Sequence, residues 1–181
     1  MKDEKYSFIM IGYEDNELVR KIQEEIDEND LYIWKEDEQK YEQWLQEDLH
    51  VTLVACMDND IKIDDLFEYL KPCKEYKATI KNISLFENEK NDVLKFDVDC
   101  DNIYETHDEI LKHYESHSEY KDYHPHMTIA YLKSWTWKKY IDKFSKYLEE
   151  YSNILIPEIF SFSNYIWDVN QTTYFCKYYS V

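Results

Sequence analysis

The chain has 181 residues, 44% of them hydrophobic and 17% aromatic, enough for a substantial ring-packed core in one domain. Its formal charge is −18, from 21 basic and 39 acidic side chains, which argues against tracking a long nucleic acid, because such binding rests on many lysine and arginine contacts to phosphate. The single glycine, Gly12, rules out a glycine-rich phosphate loop, and with it the dinucleotide and P-loop classes.

In chain order, residues 6–13, YSFIMIGY, form a buried strand run. Leu18, Val19, Ile22 and Ile26 recur at helical spacing over 16–29. The acidic stretch KEDEQKYEQWLQED (35–48) has few apolar anchors and reads as a solvated helix or a flap leading into His50. HVTLVACM, from His50, is a strand, and DDLFEYL (64–70) is a short helix with Asp64 as an N-cap candidate. Residues 75–86 and 92–99 form a hairpin, the second arm alternating strictly in LKFDVD (94–99). Ile103, Ile110, Leu111 and Tyr114 predict a helix over 102–118, followed by the strand HMTIAYL from His126. Trp137, Tyr140, Ile141, Phe144 and Leu148 share a helical face over 136–150, and strands at 153–166 and 172–180 finish the chain. With one glycine, tight turns at positive φ must be nearly absent or use Asn and Asp.

One pattern thus occurs twice: a strand opening on a histidine, then a helix, then two strands. The copies start at His50 and His126, and the arrangement predicts a two-lobed α+β protein with the two histidine strands facing each other across a central cleft. Each of these strands carries His-x-Thr. In a strand, residues i and i+2 share a face about 6.5–7 Å apart. His50 and Thr52 therefore point one way while Val51 and Leu53 enter the core; His126 and Thr128 repeat this over Met127 and Ile129. Two imidazoles can remove one proton and donate another near neutral pH. Two threonine hydroxyls can donate to the non-bridging oxygens of a phosphodiester. No metal or other cofactor is required. Because Arg20 is the only arginine, any phosphate must be held by histidine, lysine, hydroxyls and backbone N–H groups.

The paired motifs, above all YHPHMTIAYL (123–132), resemble the 2H phosphoesterase superfamily, which carries His-x-Thr/Ser twice on a bilobal α+β fold. The resemblance implies a single domain over 1–181, with two pseudo-symmetric lobes, two antiparallel sheets flanked by helices around a central cleft, and catalytic His50, Thr52, His126 and Thr128. Within the superfamily the second motif looks most like phage anti-CBASS nucleases, which cleave cyclic oligonucleotide immune signals. That likeness implies attack by a ribose 2′-OH on the adjacent 3′–5′ linkage. It also implies aromatic and acidic contacts to bases, for which position suggests Tyr13, Trp167 and Glu158. Lys133, with Lys138 or Lys139, is the expected source of positive potential near the cleft. Within the class, the alternative is an RNA end-processing 2′,3′-cyclic or 2′,5′ phosphodiesterase. Outside it, an acidic nucleic-acid mimic or a nucleotide sponge would also suit the charge.

The expected partner is a small cyclic oligonucleotide or a short RNA, with no membrane contact. His113 and His117 stand at i, i+4 near His107, but HYESH lacks the glutamate placement of a zinc-protease helix, so a wet helix face is the expectation. His124 is expected to shape the start of its strand. Four widely spaced cysteines without a CxxC pair, and an N-terminus MKDEKYSFIM without secretory character, predict reduced thiols in the cytoplasm.

Overall fold

The computed structural model describes residues 5–32, 35–36, 39–40, 48–58, 61, 63–89, 91–118, 122–167 and 172–179. Its strands are β1 (Lys5–Tyr13), β2 (Lys35–Glu36), β3 (Gln39–Lys40), β4 (His50–Asp58), β5 (Ala78–Glu87), β6 (Asn91–Asp99), β7 (His126–Lys133), β8 (Ile154–Leu155), β9 (Pro157–Trp167) and β10 (Thr172–Tyr179). The helices are α1 (Glu17–Glu24), α2 (Ile63–Phe67), α3 (Asp101–Leu111) and α4 (Ile141–Glu150). Asn16 caps α1, its Oδ1 accepting from the backbone N–H groups of Leu18 and Val19. Asp64 lies within the first turn of α2 rather than capping it.

Eight strands form one antiparallel sheet in the order β10-β9-β1-β4-β7-β6-β5-β8, and β2 and β3 pair separately as a small hairpin. Most of the acidic stretch around that hairpin, including 41–47, lies outside the described residues. The mixed α+β class with antiparallel pairing is therefore as expected, but the two expected sheets are the two halves of one. The chain also exchanges its hairpins. β5 and β6 follow β4 in sequence yet pair beside β7, whereas β9 and β10 follow β7 and pair, through β1, beside β4.

One core cluster unites the helices with one face of the sheet. Leu18, Ile22, Leu66, Ile103, Ile110 and Phe144 pack there with Ile11, Val51, Leu53, Phe96, Met127 and Ile129, all essentially buried. α3 is shorter than the periodicity suggested. It ends at Leu111, and Ser116 forms an isolated bridge with Met57, so His113 and His117 do not share a helix turn. Among the described residues positive φ occurs at Cys56 and Trp135 rather than at Asn or Asp.

The two histidine strands join at a single aligned pair, Val51↔Met127. On either side of it other groups satisfy the exposed strand carbonyls, since a buried carbonyl without a donor is costly. Along β4, the Tyr123 hydroxyl donates to Thr52 O at 2.7 Å, His107 Nδ1 to Leu53 O at 2.6 Å, Ser116 Oγ to Ala55 O at 2.8 Å, and His117 N to Cys56 O at 2.9 Å. Along β7, Gln23 Nε2 donates to Ile129 O at 3.1 Å and Tyr32 N to Tyr131 O at 2.9 Å. His107 and Tyr123 also stack face to face, with ring centroids 3.7 Å apart.

Tyr123→Phe keeps that stack and removes only the donor to Thr52. It should lower stability by about 1–3 kcal/mol, read as a reduced urea midpoint with unchanged slope. An unaltered midpoint would show that the seam does not depend on this hydrogen bond.

Candidate active site

Val51 and Met127 face the core with no exposed surface. Strand alternation therefore turns His50, Thr52, His126 and Thr128 to the opposite face, where all four are half-buried. Antiparallel register around the aligned pair puts His50 across from Thr128 and Thr52 across from His126. The two histidines then stand on a diagonal, about 7–8 Å apart at the backbone.

Each imidazole is held in the same way. His50 Nδ1 lies 2.8 Å from Asp48 O, and His126 Nδ1 lies 2.8 Å from His124 O. A carbonyl only accepts, so Nδ1 carries the proton in both rings, and Nε2 is the atom that gains or releases a second one. His124 thus acts through its backbone. Burial is the main influence holding the His126 pKa below the ordinary imidazole value. The hydrogen bond to His124 and the Asp97 carboxylate oppose this, while the positive charge of Lys95 lowers it further.

The rows crossing the sheet differ on the two sides. Thr128, Lys95 and Ser84 align across β7, β6 and β5, as do His126, Asp97 and Asn82. On the other side His50 aligns with Gly12 and Ile159, and Thr52 with Met10 and Ser161. Lys95 is only 5% exposed. Its ammonium donates to Ser84 Oγ at 2.7 Å, pairs with Asp97 and lies 4.4 Å from the centre of the Phe86 ring. Burial tends to raise the Asp97 pKa, but hydrogen bonds from Lys95 and Ser84 outweigh it and hold the carboxyl below its usual range. Phe86 meets the His126 ring edge-on at 4.8 Å. A groove of about 460 Å³ opens beside it, lined by Ser84, Phe86, Lys95, Asp97, Tyr104 and His124 among others. Gly12 fits its place through space alone. A Cβ there would lie 2.9 Å from Ile159 Cγ2, and its φ is not positive.

The other sequence candidates lie elsewhere. Tyr13 is buried in the core, its hydroxyl donating to Tyr76 O at 3.0 Å, so its ring offers no face to a base. Tyr13 belongs to the odd-numbered residues of β1, opposite the face that carries Gly12 and His50. Glu158 occupies a register shift in β9, exposed and close enough to Cys73 to reinforce the rise that burial imposes on that thiol's pKa. Lys133 ends β7, five residues beyond Thr128 and about 16 Å along the strand, and its Nζ donates to Asn29 O at 2.6 Å. Lys138 lies over Trp135, and Lys139 pairs with Asp30. Trp167 closes β9, but its side chain lies outside what the structure describes. His113 stacks on Tyr69 and faces Glu109. Among the described residues no group of three or more His, Cys, Asp or Glu is arranged to hold a metal ion. Among them, too, no helix is long and apolar enough to cross a membrane.

Sequence reasoning missed Lys95. Its signal was the alternation Lys95, Asp97, Asp99 within LKFDVD, which marks one polar face of a strand but not that this face adjoins Thr128 and His126.

Comparison with known proteins agrees with this architecture. The model of the 2′-5′ RNA ligase superfamily matches residues 14–154. Among solved structures, Usb1 of Kluyveromyces marxianus aligns with a TM-score of 0.50 at 10% identity, covering 96% of this chain and 97% of that one. The same protein with uridine monophosphate aligns with a TM-score of 0.46 at 9% identity, covering 94% and 97%. No curated protein matches the chain. The family match, with the paired His-x-Thr strands, defines a 2H-type phosphodiesterase, a hydrolase. The chain belongs to the 2′-5′ RNA ligase superfamily.

In a histidine-resolved NMR titration, His126 should protonate below pH 6.5, the ordinary imidazole value. Lys95→Met should move that titration upward, since a repelling cation is lost. By linkage, neutral His126 contributes stability that is present above the unfolded pKa and lost as pH falls through the folded one. Titration of His126 at or above the ordinary value would contradict this environment.

Proposed function

We propose that the chain cleaves 3′–5′ phosphodiester linkages in small cyclic oligonucleotides without a metal, using His50 and His126 as the proton-transfer pair and Thr52 and Thr128 as phosphate donors. The observation that carries this reading is the register at Val51↔Met127, which turns both His-x-Thr pairs to one face of the sheet. In the proposed step one imidazole Nε2 takes the proton of a ribose 2′-OH as that oxygen attacks phosphorus. The other gives its proton to the leaving 5′-oxygen, and a 2′,3′-cyclic phosphate forms. The threonine hydroxyls donate to the non-bridging oxygens, where charge accumulates. The reading treats residues 1–181 as one domain of two pseudo-symmetric lobes, each supplying one pair, at work in the cytoplasm.

The excess of 39 acidic over 21 basic side chains favours a small substrate over a long strand. The second motif's resemblance to phage anti-CBASS nucleases makes cyclic immune signals the finer choice. A second reading, processing of RNA ends through 2′,3′-cyclic or 2′,5′ linkages, is favoured by the superfamily whose model covers residues 14–154.

A panel of cyclic dinucleotides, cyclic trinucleotides and short RNAs, incubated with EDTA and analysed by mass spectrometry, separates the readings. Cyclic substrates should be linearised in the presence of chelator. His50→Ala and His126→Ala should each lower the rate by about 10²–10⁴-fold. Cleavage confined to RNA ends would select the second reading. Full turnover by both histidine variants would remove the two rings from the chemistry.

A further inference from the structure

We propose that Lys95 is a phosphate-binding residue of this site and that the groove beside it, over β5 and β6, takes the nucleoside attached to that phosphate. The inference rests on the phosphodiesterase reading above and names the part of the site that recognises substrate.

Three observations support it. First, Lys95 is the sole cation among the residues that flank the two His-x-Thr pairs in the cross-sheet rows, and it aligns directly with Thr128. A phosphate held by the threonines lies within reach of its flexible side chain. The guanidinium that would ordinarily serve is absent, for the one arginine, Arg20, pairs with Asp15. Second, Lys95 is only 5% exposed on the face of the sheet away from the main core, where keeping a charge is costly even with Asp97 and Ser84 beside it. Well-packed apolar residues in place of a buried ion pair are often neutral or stabilising. Asp97 and Ser84 hold the amine at the position where a substrate anion can replace the carboxylate as its partner. Third, the groove starts at the catalytic side. Phe86, which meets the His126 ring edge-on, and Tyr104, 39% exposed, both line it. Its volume of about 460 Å³ is in the range of small-molecule sites, and its aromatic walls suit a base, which presents a π-face whatever its identity. In the aligned rows of β1 and β9 the opposite side, with Gly12, Met10, Ile159 and Ser161, carries no charged residue.

Calorimetry with uridine and adenosine 3′-monophosphates, and with the uncharged nucleosides as controls, tests the assignment. Lys95→Met should weaken the monophosphates about 10–100-fold and leave the nucleosides unchanged. On any panel substrate that the wild type cleaves, the same variant should lose about 100-fold in kcat/KM, with Lys95→Arg recovering part. Tyr104→Ala should weaken monophosphates and nucleosides alike, by about 5–100-fold. A purely structural Lys95 would move both ligand classes together. Should Lys95→Met fail to fold, Lys95→Gln, which keeps a donor for Asp97, carries the same test. Unchanged phosphate affinity and turnover in a folded Lys95 variant would overturn this inference while leaving the phosphodiesterase reading intact. A wild-type protein that binds and cleaves nothing in the panel would overturn both.

Discussion

Two strands that begin 76 residues apart touch at one aligned pair, Val51 and Met127, and the candidate site depends on that contact. Both side chains are buried, so the pair is anchored from the core side by apolar packing. A slip of one residue in either strand would turn its histidine and threonine into that core and bring apolar side chains to the open face. The burial of Val51, Leu53, Met127 and Ile129 therefore sets where the polar side chains stand. Packing, not attraction among the polar groups, assembles the four residues.

A longer β4–β7 ladder would have been the simpler way to join the halves. The sheet instead spreads away from the pair, and side chains from distant segments serve the strand edges. Tyr123 and His107 do so on one side, Gln23 and Tyr32 on the other. These bonds connect α1, α3 and the approach to β7 directly to the backbone of the two motifs. They give those loops and helices a share in the geometry of the site without contributing a reacting group. The imidazoles receive the same treatment on a smaller scale: a carbonyl two residues upstream of each sets the tautomer.

The two halves are alike in topology and unlike in chemistry. On the β4 side the neighbours across β1 and β9 are glycine, methionine, isoleucine and serine, none charged; on the β7 side they are lysine, aspartate, serine and asparagine. A protein carrying a charge of −18 repels anions at long range. Lys95, paired with Asp97 and Ser84 beside the second motif, makes the surroundings of the two repeated motifs unequal.

Much of the architecture was legible in the chain. The strand around Ile9 and Ile11, the helices around Ile22 and Phe144 and the alternating hairpin follow from periodicity, which reports local burial. The His-x-Thr repeat also was visible, because its meaning lies in a spacing of two along one strand. The guesses at Tyr13, Glu158 and Lys133 did not place these residues with the motifs, because position along the chain says nothing of which face or end of a strand meets the site. What the sequence by itself determined is the pair of His-x-Thr motifs and the face each histidine shares with its threonine two residues on, since strand alternation is a local rule. Tertiary structure alone decided that the two strands adjoin and that Lys95 lies beside Thr128. It also decided that Tyr13 lies in the core, because these outcomes depend on pairings between segments far apart in the chain, which no local pattern encodes.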